Sequence, residues 1–322
     1  FGNRSLVPTV DPMTVDTIFD VASLTKPVAT ATSIMILVEQ GKLRLNDTVG
    51  KFISDIDDPE AKKVTIQQLL THTSGYRPDF DLGEKWEGRE GMLAALKKEK
   101  LRNPPGTRFV YSDIGFIVLE EILYRLSESS VNGFFIDNLS SRMELYRSGF
   151  FVKANFRDSP VWGFSGHRRR SADLGEGLAS EAALSKLVAP TENVKGQNSY
   201  LGSSFSGNEK DGREILRGQV HDPTAHRMGG VAGHAGLFST ADDLARYAQM
   251  ILNGGKNPVA TAPGSDTSRI LSAQTIARMT QPYVVSAEGH TRGLGWDMNT
   301  TFSSNRGELF PLGSFGHTGF TG

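Results

Sequence analysis

Cysteine is absent from this chain of 322 residues. Its absence excludes disulfide bonds, thiolate nucleophiles and zinc sites built from cysteine, but it does not fix the cellular compartment. A bacterial cytoplasm and a periplasmic or secreted location therefore both stay open. Long apolar runs are lacking as well, since no stretch approaches the roughly 20 residues of a membrane-spanning helix. We therefore predict no membrane span.

An excess of charge of one sign is also lacking, because 35 Lys and Arg oppose 36 Asp and Glu and give a net charge of −1. This balance gives no support for nucleic acid or an anionic membrane surface as a partner. What is present is the content of an ordinary globular protein, with 38% apolar and 22% charged residues. The chain is long enough to bury a sizeable core.

The first candidate for chemistry is the pair Ser23 and Lys26, an S-x-x-K tetrad at the start of a long apolar run. Residues three apart on a helix share a face, so the amine can lie beside the hydroxyl. Serine needs such a neighbour, because its free hydroxyl is a weak nucleophile. A lysine shielded from water, or close to another cation, has a lowered pKa and can act as the base. The alternative is a helix start with a cap and an ordinary surface lysine.

Apolar periodicity, capping residues and turn residues predict where the regular elements lie. Residues 127–211 give the weakest secondary-structure signals of the chain. Within them, a helix over 178–187 is a candidate. We interpret the charged run 167–170 as a solvated loop. The predicted helices cover 26–40, 64–70 (capped by Thr65 with Gln68), 113–126 (starting at Ser112 or Asp113), 239–253 (capped by Ser239 with Asp242) and 268–279, and the predicted strands cover 293–298 and 314–320.

Further motifs follow the tetrad along most of the chain, except about 131–214. In order, the motifs are F-D-V-A-S-L-T-K (19–26), L-L-T-H-T-S-G (69–75), P-G-T-R-F-V-Y-S-D-I-G-F (105–116), G-G-V-A-G-H-A-G-L-F-S-T (229–240), G-L-G-W (293–296) and G-H-T-G-F (316–320). Together they resemble the serine β-lactamase and penicillin-binding-protein superfamily. The resemblance is strongest to the branch that holds class C β-lactamases, D-alanyl-D-alanine carboxypeptidases and family VIII esterases.

The resemblance implies a fold of the α/β (α+β) class, β-lactamase/transpeptidase-like, with an antiparallel sheet flanked by helices and a mostly helical lobe. We expect a single domain, 1–322, of two interleaved lobes: a helical lobe at about 45–215 and an α/β lobe from about 1–44 and 216–322. Members of the family normally carry further strands at both ends. We therefore expect the natural protein to be longer at both ends and this chain to lack those terminal strands.

The resemblance also implies three catalytic residues. Ser23 would attack the substrate carbonyl and form an acyl-enzyme, and Lys26 would take its proton or hold its hydroxyl. Tyr111 would be the partner base, made phenolate-like by nearby cations, and would pass the proton to the leaving group. A rival reading takes Ser112 as the relay in a degenerate S-D-N motif. We prefer Tyr111, because the P-G-x-x-F-x-Y-S context puts the tyrosine at the base position.

Substrate-binding roles follow from the same resemblance. Asp113 replaces the usual Asn, which could alter amide contacts to substrate. His317 stands where β-lactamases carry the Lys of K-T-G, and histidine is mostly neutral at pH 7, which weakens carboxylate anchoring. It also removes a cation that would depress the pKa of the two catalytic bases. Backbone N–H groups of Ser23 and Phe320 would form the oxyanion hole. The remaining substrate-binding residues are Thr318 and Gly319.

Histidines elsewhere give weaker signals. His221, His226 and His234 cluster in the sequence, but their spacing matches no usual metal motif, so we expect hydrogen bonding or site lining and no metal. We expect His72, in T-H-T-S-G, to be structural, not a base. No cofactor is needed for acyl-enzyme chemistry.

The sequence therefore predicts a serine hydrolase, foremost a carboxylesterase acting on short-chain esters. The alternatives are a D-alanyl-D-alanine carboxypeptidase or aminopeptidase, a weak β-lactamase, and a non-catalytic penicillin-binding protein. The expected partner is a small ester, amide or peptide, and the oligomeric state stays open. One scaffold hosts several reactions, so the class of chemistry is better fixed than the substrate.

Overall fold

Helices and short antiparallel sheets alternate along the chain in the computed structural model. The predicted helix over 178–187 lies mostly outside the described residues, and the charged run 167–170 lies wholly outside them. The structure describes residues 1–6, 9–151, 186–194, 215–259, 269–307, 309–311 and 313–321.

Most of the described helices lie between residues 49 and 143, within the region predicted as the helical lobe, and Thr32–Glu39 lies before that region. The division into two lobes stays a prediction. The α-helices are Thr32–Glu39, Val49–Phe52, Ile66–Leu70, Gly88–Lys98, Asp113–Ser127, Val131–Phe135, Ser141–Met143, Pro223–Arg227, Ala241–Leu252 and Ala273–Thr280, and short 3-10 or π turns occupy Ala22–Leu24, Lys26–Ala31, Ala61–Lys63, Ile136–Ser140 and Ser303–Arg306.

The long apolar helix predicted over 26–40 is confirmed. It starts as the π-helical segment Lys26–Ala31, whose residues are all buried, and continues as Thr32–Glu39. Residues from both predicted lobes pack against it in one apolar cluster, including Leu119 and Phe238. The wall of the site is thus built on a helix that is buried along most of its length.

Two predicted helix caps have different outcomes. The capping box of Thr65 and Gln68 is confirmed, with the Thr65 hydroxyl accepting from the Gln68 N–H. The box of Ser239 and Asp242 is wrong. Ser239 continues a strand and bonds Ser148 through its hydroxyl, so Thr240 is the first residue free to cap Ala241–Leu252. The helix predicted from 268 likewise starts later, with Ser272 capping Ala273–Thr280.

The strands β1 (Asn3–Ser5) and β2 (Asp11–Pro12) pair with each other, as do β5 (Glu192–Asn193) and β6 (Ile215–Leu216). In a separate three-stranded sheet, β3 (Phe19–Asp20) and β4 (Gly149–Phe150) lie on either side of β7 (Leu237–Ser239). All these named pairs are antiparallel. Because β3 pairs Asp20 with Phe238, the sheet fixes the chain just before Ser23.

A hairpin replaces the continuous strand predicted over 293–298. The strands β9 (Thr291–Arg292) and β10 (Asp297–Asn299) pair antiparallel, with β8 (Tyr283–Val284) on the outer side of β9. G-L-G-W forms their connection, because Gly295 has a φ of +83°, which a strand does not adopt. The segment predicted as a strand over 314–320 makes a single bridge, between Gly316 and Asp297.

Among the described residues, no helix has the length and apolar content to cross a membrane.

Candidate active site

The chain turns sharply immediately before Ser23. Ala22 has a φ of +46°, an unfavourable value for a residue with a Cβ. The turn is held from both ends, because the Ala22 N–H donates to the buried Asp20 carboxylate at 2.9 Å and the Thr25 hydroxyl donates to the Ala22 carbonyl at 2.6 Å. Ser23 is thereby presented, partly exposed, at the start of the buried helix.

Lys26 is fully buried, and its ammonium group has three close acceptors. Its Nζ lies 3.0 Å from Ser23 Oγ, 3.0 Å from the carbonyl oxygen of His234 and 2.6 Å from Asp113 Oδ1. An ammonium group has three N–H donors, so each acceptor can receive one. The predicted proximity of hydroxyl and amine is present, and Asp113, predicted as a substrate-binding residue, is paired with the lysine.

The electrostatics of Lys26 differ from the prediction. Burial alone lowers the pKa of the lysine, but the charge and hydrogen bonds of Asp113 and Tyr111 outweigh it and hold the pKa above its ordinary value. The expected lowered pKa is therefore wrong, because the sequence did not show that a carboxylate would be the lysine's nearest charge. A charged Lys26 is a hydrogen-bond donor to Ser23.

Tyr111 lies beside this pair. Its ring centroid is 4.8 Å from Lys26 Nζ, and its ring stacks on His72 with centroids 4.4 Å apart. Phe302 packs against it with centroids 5.1 Å apart. The structure thus brings all three predicted catalytic residues together.

Ser112, the rival relay, faces the interior and is buried. Its hydroxyl donates to the Arg77 carbonyl at 2.7 Å and accepts from the Gly115 N–H as the cap of Asp113–Ser127. A hydroxyl engaged in both directions is a structural cap, which favours Tyr111 as the proton carrier.

A cavity of about 510 Å³ opens next to Ser23 and Tyr111. Its far wall is the H-T-G segment. A Cβ on Gly319 would lie 2.7 Å from the Val21 carbonyl oxygen, so only glycine lets this segment pass so close to the nucleophile's turn. The predicted substrate-binding residues on this wall are His317, Thr318, Gly319 and Phe320, and other lining side chains are Met298, Phe302, Phe310 and Phe315.

His317 is a neutral group at neutral pH. Burial, together with the positive charges of Arg292 and Lys26, holds the pKa of His317 well below its ordinary value. Its Nδ1 lies 2.7 Å from the Thr318 carbonyl oxygen, which assigns the ring proton to Nδ1. This wall therefore has no permanent cation at the position of the family's K-T-G lysine.

Arg292 is a lining residue that the sequence reasoning missed. It is fully buried, pairs with Asp297 at 3.2 Å, and lies over the ring of Tyr111 with 6.0 Å to the centroid. Among the described residues, none accepts a hydrogen bond from its Nε or Nη2. Its place directly before G-L-G-W was the available signal.

Two of the three clustered histidines pair with different carboxylates. His234 is buried and lies 2.8 Å from Asp222 Oδ1, and Asp222 raises the pKa of His234 to about 9 against the opposing effect of burial. His221 lies 2.8 Å from Glu192. Within the described ranges, no three histidine or acidic side chains converge as metal ligands would.

A serine and a lysine one helical turn apart, a tyrosine beside them and an H-T-G wall across a cavity define the β-lactamase/transpeptidase-like fold. The chain belongs to the Beta-lactamase family, whose profile matches residues 3–322.

Curated relatives from Salmonella match the chain. A protein described as "Putative D-alanyl-D-alanine carboxypeptidase" from Salmonella agona (strain SL483) is 29% identical over 333 residues, and so is one from Salmonella paratyphi A. Each match covers 96% of this chain and 66% of the relative, so the chain spans just under two thirds of their length.

Solved structures share the fold. The octameric penicillin-binding protein homologue from Pyrococcus abyssi matches with a TM-score of 0.60 and 24% identity, over 94% of this chain and 58% of that one. A class C β-lactamase matches with a TM-score of 0.61 and 19% identity, over 92% and 64%. The predicted fold class is thus confirmed.

Proposed function

We propose that this chain is a serine hydrolase that works through an acyl-enzyme and prefers short-chain esters. The observation that carries the proposal is the 3.0 Å contact between Ser23 Oγ and the Nζ of the buried Lys26, at the edge of an open cavity. A nucleophile and an activating group within hydrogen-bond reach are the signature of covalent catalysis.

In the acylation step, Tyr111 acts in its phenolate form and takes the proton of Ser23 as Oγ bonds to the ester carbonyl carbon. The charged Lys26 donates to Oγ and stabilises the negative charge that develops there. The backbone N–H groups of Ser23 and Phe320 donate hydrogen bonds to the carbonyl oxygen of the substrate. When the C–O bond to the alcohol breaks, Tyr111 returns the proton to the departing alkoxide.

Deacylation repeats these steps with water. Tyr111 takes a proton from water as its oxygen bonds to the acyl carbon, and the C–Oγ bond breaks. Ser23 regains a proton from Tyr111, and the carboxylic acid leaves. Asp113 acts throughout by keeping Lys26 charged.

The cavity supports esters of small apolar acids. Its lining includes Phe302, Phe310, Phe315 and Met298, so an acyl chain has apolar contacts available. The neutral His317 offers no anchor for a substrate carboxylate.

Arg292 favours a second candidate, a D-alanyl-D-alanine carboxypeptidase, the reaction in the names of the Salmonella relatives. A guanidinium with unused N–H donors on the cavity wall is suited to a terminal carboxylate. The ester and peptide candidates share the acyl-enzyme and differ in whether substrate carries an anion.

A matched substrate panel tests both. The protein is assayed with p-nitrophenyl acetate, butyrate and decanoate, with nitrocefin, and with a D-Ala-D-Ala peptide as free acid and as C-terminal amide. We expect turnover of acetate and butyrate, with a loss of at least about 10⁴-fold in Ser23→Ala.

Preference for the free-acid peptide, lost in Arg292→Gln, would replace the esterase by the carboxypeptidase. Covalent labelling of Ser23 by a penicillin without any turnover would identify a non-catalytic binder. Ester turnover that persists in Ser23→Ala would refute the proposed mechanism.

A further inference from the structure

His72 stacks on the ring of Tyr111, the proposed proton carrier. It lies in the T-H-T-S-G loop, is 1% exposed, and has a φ of +57°. A residue with a Cβ adopts this conformation at a cost in free energy, so the surrounding contacts must hold it there.

Those contacts hold the two residues that precede and follow Tyr111 in the sequence. The N–H of Val110 donates to the His72 carbonyl at 2.9 Å, and the N–H of Ser112 donates to His72 Nδ1 at 3.0 Å. The imidazole ring also stacks on the phenol, with 4.4 Å between centroids and 23° between planes. One residue thus fixes the backbone before and after Tyr111 and the face of its ring.

The imidazole is neutral, as the contact with Ser112 requires. Burial and the positive charges of Arg292 and Lys26 hold the pKa of His72 well below its ordinary value. Because Nδ1 accepts a hydrogen bond, the ring proton is on Nε2. His72 is not among the residues that line the cavity, so it does not meet the substrate.

We propose that His72 is a positioning residue that holds the phenol of Tyr111 in line for proton exchange with Ser23. This inference rests on the proposed function, in which Tyr111 carries the proton. Removing the imidazole leaves the phenol free to rotate and displaces the Tyr111 backbone, so proton transfer slows while substrate binding is unchanged.

A double-mutant cycle tests the inference. His72→Phe keeps an aromatic ring for stacking and loses the acceptor, whereas His72→Asn keeps an acceptor, tolerates positive φ and loses the ring. Each is made alone and with Tyr111→Phe, and kcat and KM are measured on p-nitrophenyl butyrate. Circular dichroism and thermal melts confirm that every variant is folded at the assay temperature.

We expect each single change to lower kcat by about 10-fold to 100-fold with KM within about twofold, the range that mispositioned groups show. In the Tyr111→Phe background the same changes are expected to cost less than about twofold. Equal losses in both backgrounds, or losses confined to KM, would overturn the proposal, since they mean that His72 acts independently of Tyr111.

A second measurement separates this inference from the proposed function. With ¹³C label at the tyrosine ζ carbon, the Tyr111 signal is identified by its loss in Tyr111→Phe. We expect it to shift or broaden in both His72 variants whether or not the protein turns over an ester. An unchanged signal refutes the positioning role, while a shifted signal without ester turnover refutes only the esterase.

Discussion

The two sides of the site are built on opposite principles. The lysine side, formed by Lys26, Asp113, His234 and Asp222, is buried and rich in charge, and its ammonium group has three close acceptors. The cavity side, from His317 to Phe320 with the aromatic lining, is open, and Phe320 is 65% exposed. In the proposed mechanism, the charges are fixed where bonds are made, and the apolar surface lies where the substrate binds.

This difference separates two properties of the protein. A charge held by buried partners leaves little room for variation, because removing one partner leaves the other unpaired. An open apolar wall can change its side chains at small cost. In the proposed mechanism, the chemistry therefore belongs to the lysine side and the choice of substrate to the cavity side.

The largest effect is expected from replacing Asp222, the residue of the lysine side that pairs with His234. Asp222→Asn removes the partner of His234, whose pKa is raised to about 9. A raised pKa adds stability that is complete below the unfolded value of about 6.5 and is lost as the pH rises through about 9. We expect Asp222→Asn to lose about 3 kcal/mol of unfolding free energy at pH 6 and much less at pH 9.5.

Urea unfolding at the two pH values measures this difference. Asn at position 222 can still cap Pro223–Arg227, so loss of the cap is controlled within the same variant. A deficit equal at both pH values would show that the charge of His234 is not involved.

The next largest effect is expected from replacing Asp113, the carboxylate that pairs with Lys26. In Asp113→Asn, burial is no longer opposed by a carboxylate, so the pKa of Lys26 falls. We expect kcat/KM to drop about 10-fold to 100-fold at pH 7, and its alkaline limb to move to lower pH by at least about one unit. Asp55→Asn, at an exposed surface aspartate, is the matched control for the pH profile. An alkaline limb shared by both variants would contradict a charged Lys26.

The smallest effect is expected on the cavity side. His317→Lys supplies a permanent cation, and His317→Gln supplies a neutral group of similar size. We expect the lysine variant to lower KM for nitrocefin or a free-acid peptide about tenfold, or about 1.4 kcal/mol, with ester kcat changed less than about threefold. If the glutamine variant gave the same gain, charge would not be the cause.

The sequence predicted the parts of the site that are set locally. The tetrad and the Thr65 cap depend on spacing within one turn, and both are present. The family motifs predicted that Tyr111 and His317 belong to one site, and both residues line the same cavity. These residues carry their positions in short patterns.

What the sequence did not predict depends on contacts between distant segments. The pKa of Lys26 depends on two opposing effects, burial and a carboxylate on another helix. The spacing of residues in the sequence does not show which effect is larger. Arg292 lies over the ring of Tyr111 because it is part of the β9–β10 hairpin, which the sequence did not predict. The cap of Ala241–Leu252 moved to Thr240 because strand pairing claimed Ser239.

The acceptors around Lys26 also tie the chemistry to the state of the whole molecule. The ammonium group bonds the carbonyl of His234, which lies 208 positions away in sequence. Fragments of the chain that separate these two residues can be helical and still lack a reactive hydroxyl. If Ser23 is the nucleophile of the proposed mechanism, the rate at which it is labelled reports complete assembly, and it can score fragment complementation or refolding without any knowledge of the natural substrate.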